Sequence, residues 1–261
     1  MKLYEGIRVD KNDNVIFNWN YDDRHKDALL LDGFEARYFN ENDIRYVYAY
    51  NYTNNATGKD KKIIRNYLKN SDNQNIEYVE EFVDNGILRL DAVEAIRNFD
   101  VFVYTKPRNS SSLLEIIRSY LYDYAMPLSI NFELIKKCYR DVTFDKEKLE
   151  RHLQELEWNR KDIEEISDRT ERKFNELKKS GKLFEMKRFI PRQVRVAFSD
   201  FLKFSSEGEK AVYETLQDAN VLVYDDFLTS GATVNEIIRY LKSTNENNKL
   251  TVFVLINQRD V

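Results

Sequence analysis

The chain has 261 residues, 42% of them apolar and 33% charged, with a formal net charge of −4. That is the make-up of a soluble globular protein with one large domain or two small ones; no overall basic excess indicates nucleic acid, and no apolar run is long enough to span a membrane. Cys138 is the only cysteine, which excludes an internal disulfide and suits a reducing cytoplasm, and with only His25 and His152 neither a zinc site nor a histidine mechanism is expected.

In chain order, residues 1–50 read as mainly β. The first six residues hold no apolar signal core. Leu3–Arg8 and Asn14–Trp19 flank the turn-rich tetrad Asp10-Lys11-Asn12-Asp13 and predict a hairpin. Arg45–Tyr52 is strand-type. Lys59–Leu68 reads as a helix with Ile63, Ile64, Tyr67 and Leu68 on one side and lysines on the other. Its cluster Lys59, Lys61, Lys62 and Arg65 is either a solvated helix face or a site for an acidic or phosphorylated ligand. Residues 76–83 read as a short strand or helix, and Leu88–Asn98 as helical.

From residue 99 the pattern becomes strand, loop, helix. Phe99–Tyr104 is a strand, Thr105–Ser112 a loop, and Leu113–Leu121 an amphipathic helix with serines well placed to cap it. Residues 128–142 read as strand or mixed structure. Residues 145–179 are dense in Glu, Lys and Arg, with no Pro or Gly. Leu149, Leu153, Leu156, Ile163, Phe174 and Leu177 follow a broken seven-residue repeat, interrupted at Arg160, Ser167 and Thr170. This predicts one helix of about 50 Å or a helical pair, ended by Ser180-Gly181. It is open whether this is a dimerisation arm, a hood over a site, a surface for another protein, or a structural helix with a solvated face. Lys187–Arg195 is locally basic, and Val194–Phe198 fits a strand equally well. Glu207–Leu216 predicts a helix.

The most informative stretch is 221–234. Val221-Leu222-Val223-Tyr224 reads as a buried parallel strand, ending where Asp225 and Asp226 stand side by side. Phe227-Leu228-Thr229-Ser230-Gly231-Ala232-Thr233 follows, and apolar positions 234, 237, 238 and 241 then give helical spacing. A small-residue loop before a helix N-terminus offers backbone N–H groups and a favourable dipole to an anion. Thr229, Ser230 and Thr233 add hydroxyl donors, and Gly231 lets the backbone approach closely. The carboxylates repel an anion but accept bonds from vicinal sugar hydroxyls. A ligand such as ribose 5-phosphate satisfies both halves. The plainer alternative is a strand ending in solvated aspartates before a Ser/Thr-rich cap. Leu250–Ile256 is a second buried strand, so strands alternate with helices. A parallel sheet results, with ligands expected at its carboxyl ends. No Gly-x-Gly-x-x-Gly supports a dinucleotide fold.

Residues 221–233 resemble the 5-phosphoribosyl-1-pyrophosphate (PRPP) loop of type I phosphoribosyltransferases, matching at Asp225, Asp226, Thr229, Ser230, Gly231 and Thr233. The resemblance implies an α/β fold with a parallel sheet flanked by helices. To this the sequence adds a β-rich N-terminal region over 1–98 and a domain over 99–261 with a helical insertion at about 143–182. It implies transfer of ribose 5-phosphate to a nitrogen acceptor with release of pyrophosphate, Mg²⁺ bound mainly through PRPP, and a fold that commonly forms homodimers, while the oligomeric state of this chain stays open. Asp225 and Asp226 would be the catalytic pair on the ribose, with a proton-accepting role open for Asp226. Phe227, Leu228, Thr229, Ser230, Gly231, Ala232 and Thr233 would complete the PRPP site. For pyrophosphate the resemblance points to Lys106, Arg108 and Ser110 in the 105–112 loop. Arg192, beside Arg188 and Arg195, stands where the family has a mobile basic loop, though that loop's own sequence is not matched. The order of elements is also weakly similar to ComF-type proteins, without their zinc cysteines. The good match covers only 99–126 and 205–257. A catalytically inactive PRPP or nucleotide sensor and an interaction protein remain the alternatives, and the acceptor is not identified.

Overall fold

The computed structural model describes residues 6–18, 31–32, 37–41, 44–69, 76–106, 112–123, 128–134, 139–182 and 191–258. Its residues cluster into two compact units. Unit 1 comprises Met1–Ser129, Gln217–Leu228 and Asn247–Val261; unit 2 comprises Ile130–Leu216 and Thr229–Glu246.

Unit 1 is an α/β assembly built on four parallel strands. β1 (Gly6–Val9) and β2 (Val15–Asn18) form the expected hairpin, held at its turn by Asp10, whose carboxylate accepts from the Asn12 and Asn14 N–H groups. β3 (Leu31–Asp32) and β4 (Arg37–Glu41) both pair antiparallel with β5 (Ile44–Tyr52). β5 in turn pairs parallel with β12 (Lys249–Asn257), β12 with β11 (Asn220–Leu228), and β11 with β6 (Val101–Lys106). The parallel order is therefore β6, β11, β12, β5. Near-continuous apolar runs in β11 and β12 fit strands covered on both faces.

Helices α1 (Gly58–Lys69), α2 (Ile76–Val93) and α3 (Ser112–Asp123) belong to the same unit. The start of α1 is fixed by reciprocal capping: Asp60 accepts from the Thr57 N–H at 2.9 Å, and Thr57 Oγ1 accepts from the Asp60 N–H at 3.3 Å. Residues 76–93 settle as one helix rather than a strand. Gly86 lets that helix approach the sheet, since a Cβ there would stand 2.7 Å from Leu255 Cδ1. Tyr50 stacks on Phe82 at 3.9 Å between ring centroids and donates to the Phe82 carbonyl at 2.8 Å. The core gathers Val47, Val79, Phe82, Ile87, Ile117, Leu222, Phe253 and Leu255, all buried.

Unit 2 contains the charged stretch as two helices, α4 (Lys146–Glu155) and α5 (Arg160–Lys179). The break has a local cause. Glu157 takes a left-handed φ of 58°, and the Asn159 side-chain oxygen caps α5 by accepting from the Asp162 N–H at 3.0 Å. Leu149, Leu153, Ile163 and Phe174 are buried, whereas Leu156 of the same repeat is exposed, so most of the apolar repeat serves packing. Phe174 meets Phe144 and Phe198 at 5.6 Å each, next to the short pair β8 (Thr143–Phe144) and β9 (Phe198–Ser199). Arg192–Ala197 is a 3-10 helix, which replaces the strand that Val194–Phe198 also fitted. β10 (Leu202–Phe204) pairs antiparallel with the end of β7 (Leu128–Leu134). α6 (Glu207–Glu214) and α7 (Ala232–Thr244) complete the unit. Among the described residues no helix is long and apolar enough to cross a membrane.

Candidate functional site

Parallel strands bring their carboxyl ends to one edge of the sheet, where ligands of open α/β sheets bind. In unit 1 that edge carries Asn51 and Tyr52 from β5, Asn257 from β12 with Gln258 directly after it, and Asp225–Leu228 from β11. The register sets Leu228 level with Asn257 and Asn257 level with Asn51. The buried Asn257 amide donates to Asn51 Oδ1 at 3.3 Å, and the Gln258 N–H donates to the Leu228 carbonyl at 2.9 Å.

The acidic pair does not stand beyond the strand end, as the apolar run suggested. β11 runs on through it: Asp225 pairs with Val254, and Phe227 with Ile256. The tertiary ladder overrides the low strand propensity of adjacent aspartates. Being held in a strand constrains both carboxylates, and it changes their electrostatics. Asp225 keeps part of its surface in water, yet the protein packed around it pushes its carboxyl up to about 7. Desolvation is the largest cause and the Asp226 charge the next, opposed by Lys69 and by the Phe227 N–H. Asp226 is held by an ion pair, with Lys69 Nζ 2.5 Å from its Oδ2. The phenol of Tyr224, the preceding residue, is buried and pushed up by desolvation and by both carboxylates. Its hydroxyl finds no hydrogen-bond partner among the described residues.

Lys69 was not singled out by sequence, because Leu68 closes the apolar pattern of its helix. It is the last residue of α1, where a cation also meets the negative end of the helix dipole. With Arg65 it flanks Phe227: Lys69 Nζ lies 5.1 Å and Arg65 Cζ 5.7 Å from the ring centroid. The one available signal was the i, i+4 spacing of the two cations.

The hydroxyl half of the stretch opens a segment of unit 2. Thr229, Ser230 and Thr233 are half-buried, and Ala232 is buried. Gly231 sits at the N-cap of α7 with φ of 72°, a left-handed conformation that disfavours any side chain. The Ser230 hydroxyl accepts from the Ala232 N–H at 3.4 Å, and the Asn235 N–H closes the first turn on the Gly231 carbonyl at 2.8 Å. Gly231 itself supplies no side-chain oxygen to the first turn, where Ser230 takes the Ala232 N–H, and a helix N-terminus favours an anion through its dipole and its N–H groups.

The remaining candidates are distributed unevenly. Lys106 ends β6, two residues beyond the Tyr104–Tyr224 pair and toward the edge that carries Asp226. Arg108 and Ser110 lie outside the described residues, as does Arg188. Arg192 begins the 3-10 helix of unit 2. Compared with known proteins, the chain matches no family model and no curated protein.

Proposed function

We propose that the protein binds PRPP at the 225–233 stretch and transfers ribose 5-phosphate from it to a nitrogen acceptor, on a fold of the type I phosphoribosyltransferase kind. One observation carries this reading. A constrained, adjacent carboxylate pair on a parallel strand is followed without a gap by a hydroxyl loop, a left-handed glycine and a helix N-terminus. Carboxylates accept from sugar hydroxyls and helix N-termini attract phosphate, so the two halves match the two ends of a ribose 5-phosphate.

In this reading Asp225 and Asp226 accept from the 2- and 3-hydroxyls and offset the positive charge that grows on the ring as pyrophosphate leaves. The loop Thr229–Thr233 anchors the remote phosphate, whose binding energy orients the reacting carbon. Among the described residues no group of three or more metal-ligating side chains occurs. One or two carboxylates beside a substrate rich in phosphate oxygens suit Mg²⁺, which keeps most of its coordination outside the protein. Bound there with PRPP, Mg²⁺ would neutralise charge on the pyrophosphate. A cytoplasmic setting goes with the same reading and with a chain that has a single cysteine.

The test is calorimetric titration with PRPP and Mg²⁺, beside ribose 5-phosphate and AMP, on the wild-type chain and on the Asp225→Asn/Asp226→Asn variant. Micromolar binding of PRPP that weakens by about a hundredfold in a folded double variant is expected for two lost charge-assisted contacts. Equal affinity in the two proteins removes the sugar-binding role. Pyrophosphate release on addition of a nucleobase or other amine then separates an enzyme from a sensor.

A further inference from the structure

The cations of α1 fall into two groups that the sequence does not separate. Lys59 is exposed and reaches the Asp13 carboxylate at 2.7 Å, and Lys62 faces solvent. Lys61, Arg65 and Lys69 recur every four residues, so they form one stripe along the helix. All three are half-buried, whereas Lys62 and Asn66 between them are exposed. The stripe follows the carboxyl edge of the parallel strands within unit 1. Lys61 Nζ lies 5.4 Å from the Tyr52 ring at the end of β5. Arg65 and Lys69 lie over Phe227 on β11, and Lys69 holds Asp226. A ring face seats a cation without neutralising it, so its contact with Phe227 does not cancel the charge of Arg65.

The chemistry of the ligand says what that charge is for. In PRPP the pyrophosphate stands on carbon 1, next to the carbon that bears the 2-hydroxyl. A sugar whose hydroxyls engage Asp226 therefore puts its pyrophosphate beside the cation that shares this carboxylate. We propose that the Lys61–Arg65–Lys69 stripe of α1 is the pyrophosphate-binding wall of the site, and that Lys69 passes from Asp226 to a phosphate oxygen when the ligand binds. This rests on the PRPP reading above. It differs from the expectation drawn from the resemblance, which placed that role on the 105–112 loop and Arg192. The guanidinium of Arg65 can make two parallel bonds to one phosphate, and the Lys69 ammonium acts as a point charge. Freed from Lys69, Asp226 is available to the ribose.

The experiment is calorimetric titration of the full chain and of an Arg65→Gln/Lys69→Gln variant with three probes: PRPP with Mg²⁺, pyrophosphate with Mg²⁺, and ribose 5-phosphate. The variant is expected to lose about tenfold or more in affinity for PRPP and for pyrophosphate. Its affinity for ribose 5-phosphate should hold or rise, because Asp226 no longer has a competing cation. Unchanged PRPP affinity, or an equal loss for all three probes, overturns the proposal. Should the double variant fail to fold by circular dichroism, Arg65→Gln alone tests the loss for PRPP and pyrophosphate against an unchanged affinity for ribose 5-phosphate. If the wild-type chain binds neither PRPP nor ribose 5-phosphate, the PRPP reading itself fails. The pyrophosphate titration then decides the stripe separately: binding lost in the variant supports an anion site on α1, and no binding by the wild-type chain overturns it.

Discussion

Each unit holds a buried or half-buried carboxylate on a central element, and the two are treated in opposite ways. In unit 2, Glu236 of α7 is almost wholly buried, and its charge is fully answered. Arg239 donates to both of its oxygens at 2.9 and 3.0 Å, and the Asp200 N–H donates to it at 2.6 Å. The same guanidinium also reaches the Asp200 carboxylate at 2.7 Å. In unit 1, Asp225 has another carboxylate as its neighbour, and the nearest ammonium is already engaged by that neighbour. The first arrangement is a closed structural network. The second leaves a carboxyl raised well above its ordinary range, a cation shared with the neighbouring carboxylate and a phenol without a partner among the described residues, a degree of perturbation that clusters at functional sites.

Breaking the closed network should cost the most stability. Arg239→Met leaves Glu236 buried with its backbone donor alone, and a loss of about 2–4 kcal/mol is expected in urea denaturation, below the full value for a buried pair because Arg239 is partly exposed. A loss no larger than that of an ordinary surface substitution would mean that Glu236 is not held by charge.

The open arrangement should show itself in the pH dependence of stability. Because the Asp225 carboxyl is raised to about 7, the folded protein holds a proton there that the unfolded chain gives up near pH 4. Unfolding is thus favoured as pH rises from about 4 to about 7, the reverse of the usual salt-bridged aspartate. Asp225→Asn removes that dependence and should stabilise the protein by about 1–3 kcal/mol at pH 8. Denaturation midpoints of the two proteins at pH 5 and pH 8 give the answer; parallel curves would show that Asp225 is ionised throughout. Ligand affinity has the opposite slope to stability. An ionised carboxylate accepts more strongly from sugar hydroxyls than a neutral carboxyl does, so PRPP binding should tighten as pH rises through 7.

The same contrast explains what could be read from sequence. β11, β12, α1 and α7 were legible because their apolar periods are local and unambiguous. The acidic pair and hydroxyl loop were legible because nine consecutive residues carry them. The partner of Asp226 was not, because Lys69 stands far away in the chain and only the parallel pairing of the sheet brings α1 to the end of β11. The place of β5 was hidden for a similar reason. Ile44–Tyr52 announces a strand, but nothing in it says that its neighbour is β12 rather than the hairpin before it. In 145–179 the break between helices did have a local signal, Asn159 followed three residues later by Asp162, and the density of charged helix formers masked it.

Gly231 allows a smaller perturbation of the hydroxyl half. With φ of 72°, Gly231→Val adds strain of about 1–2 kcal/mol and places a branched side chain at the cap of α7. Stability should fall by that amount, while PRPP binding, read by calorimetry, should disappear. A variant that unfolds earlier yet binds normally would dissociate the loop from the ligand.

The smallest effect expected is the most useful control on α1. Lys59 and Lys69 are both lysines of one helix in short ion pairs with aspartates, at 2.7 and 2.5 Å. Only burial separates them: the Lys59–Asp13 side chains are 69% and 52% exposed, and those of Lys69–Asp226 are 32% and 19%. Solvent and salt screen the first pair, and ordering two long side chains offsets most of its attraction. Lys59→Ala should therefore leave the melting temperature and the titrations with PRPP and pyrophosphate where they are in the wild-type chain, at low and at high salt alike. If Lys59→Ala weakens pyrophosphate binding as much as Lys69→Gln does, the positive charge of α1 acts as a diffuse field. The distinction between its solvated cations and its site-facing stripe would then have no functional content.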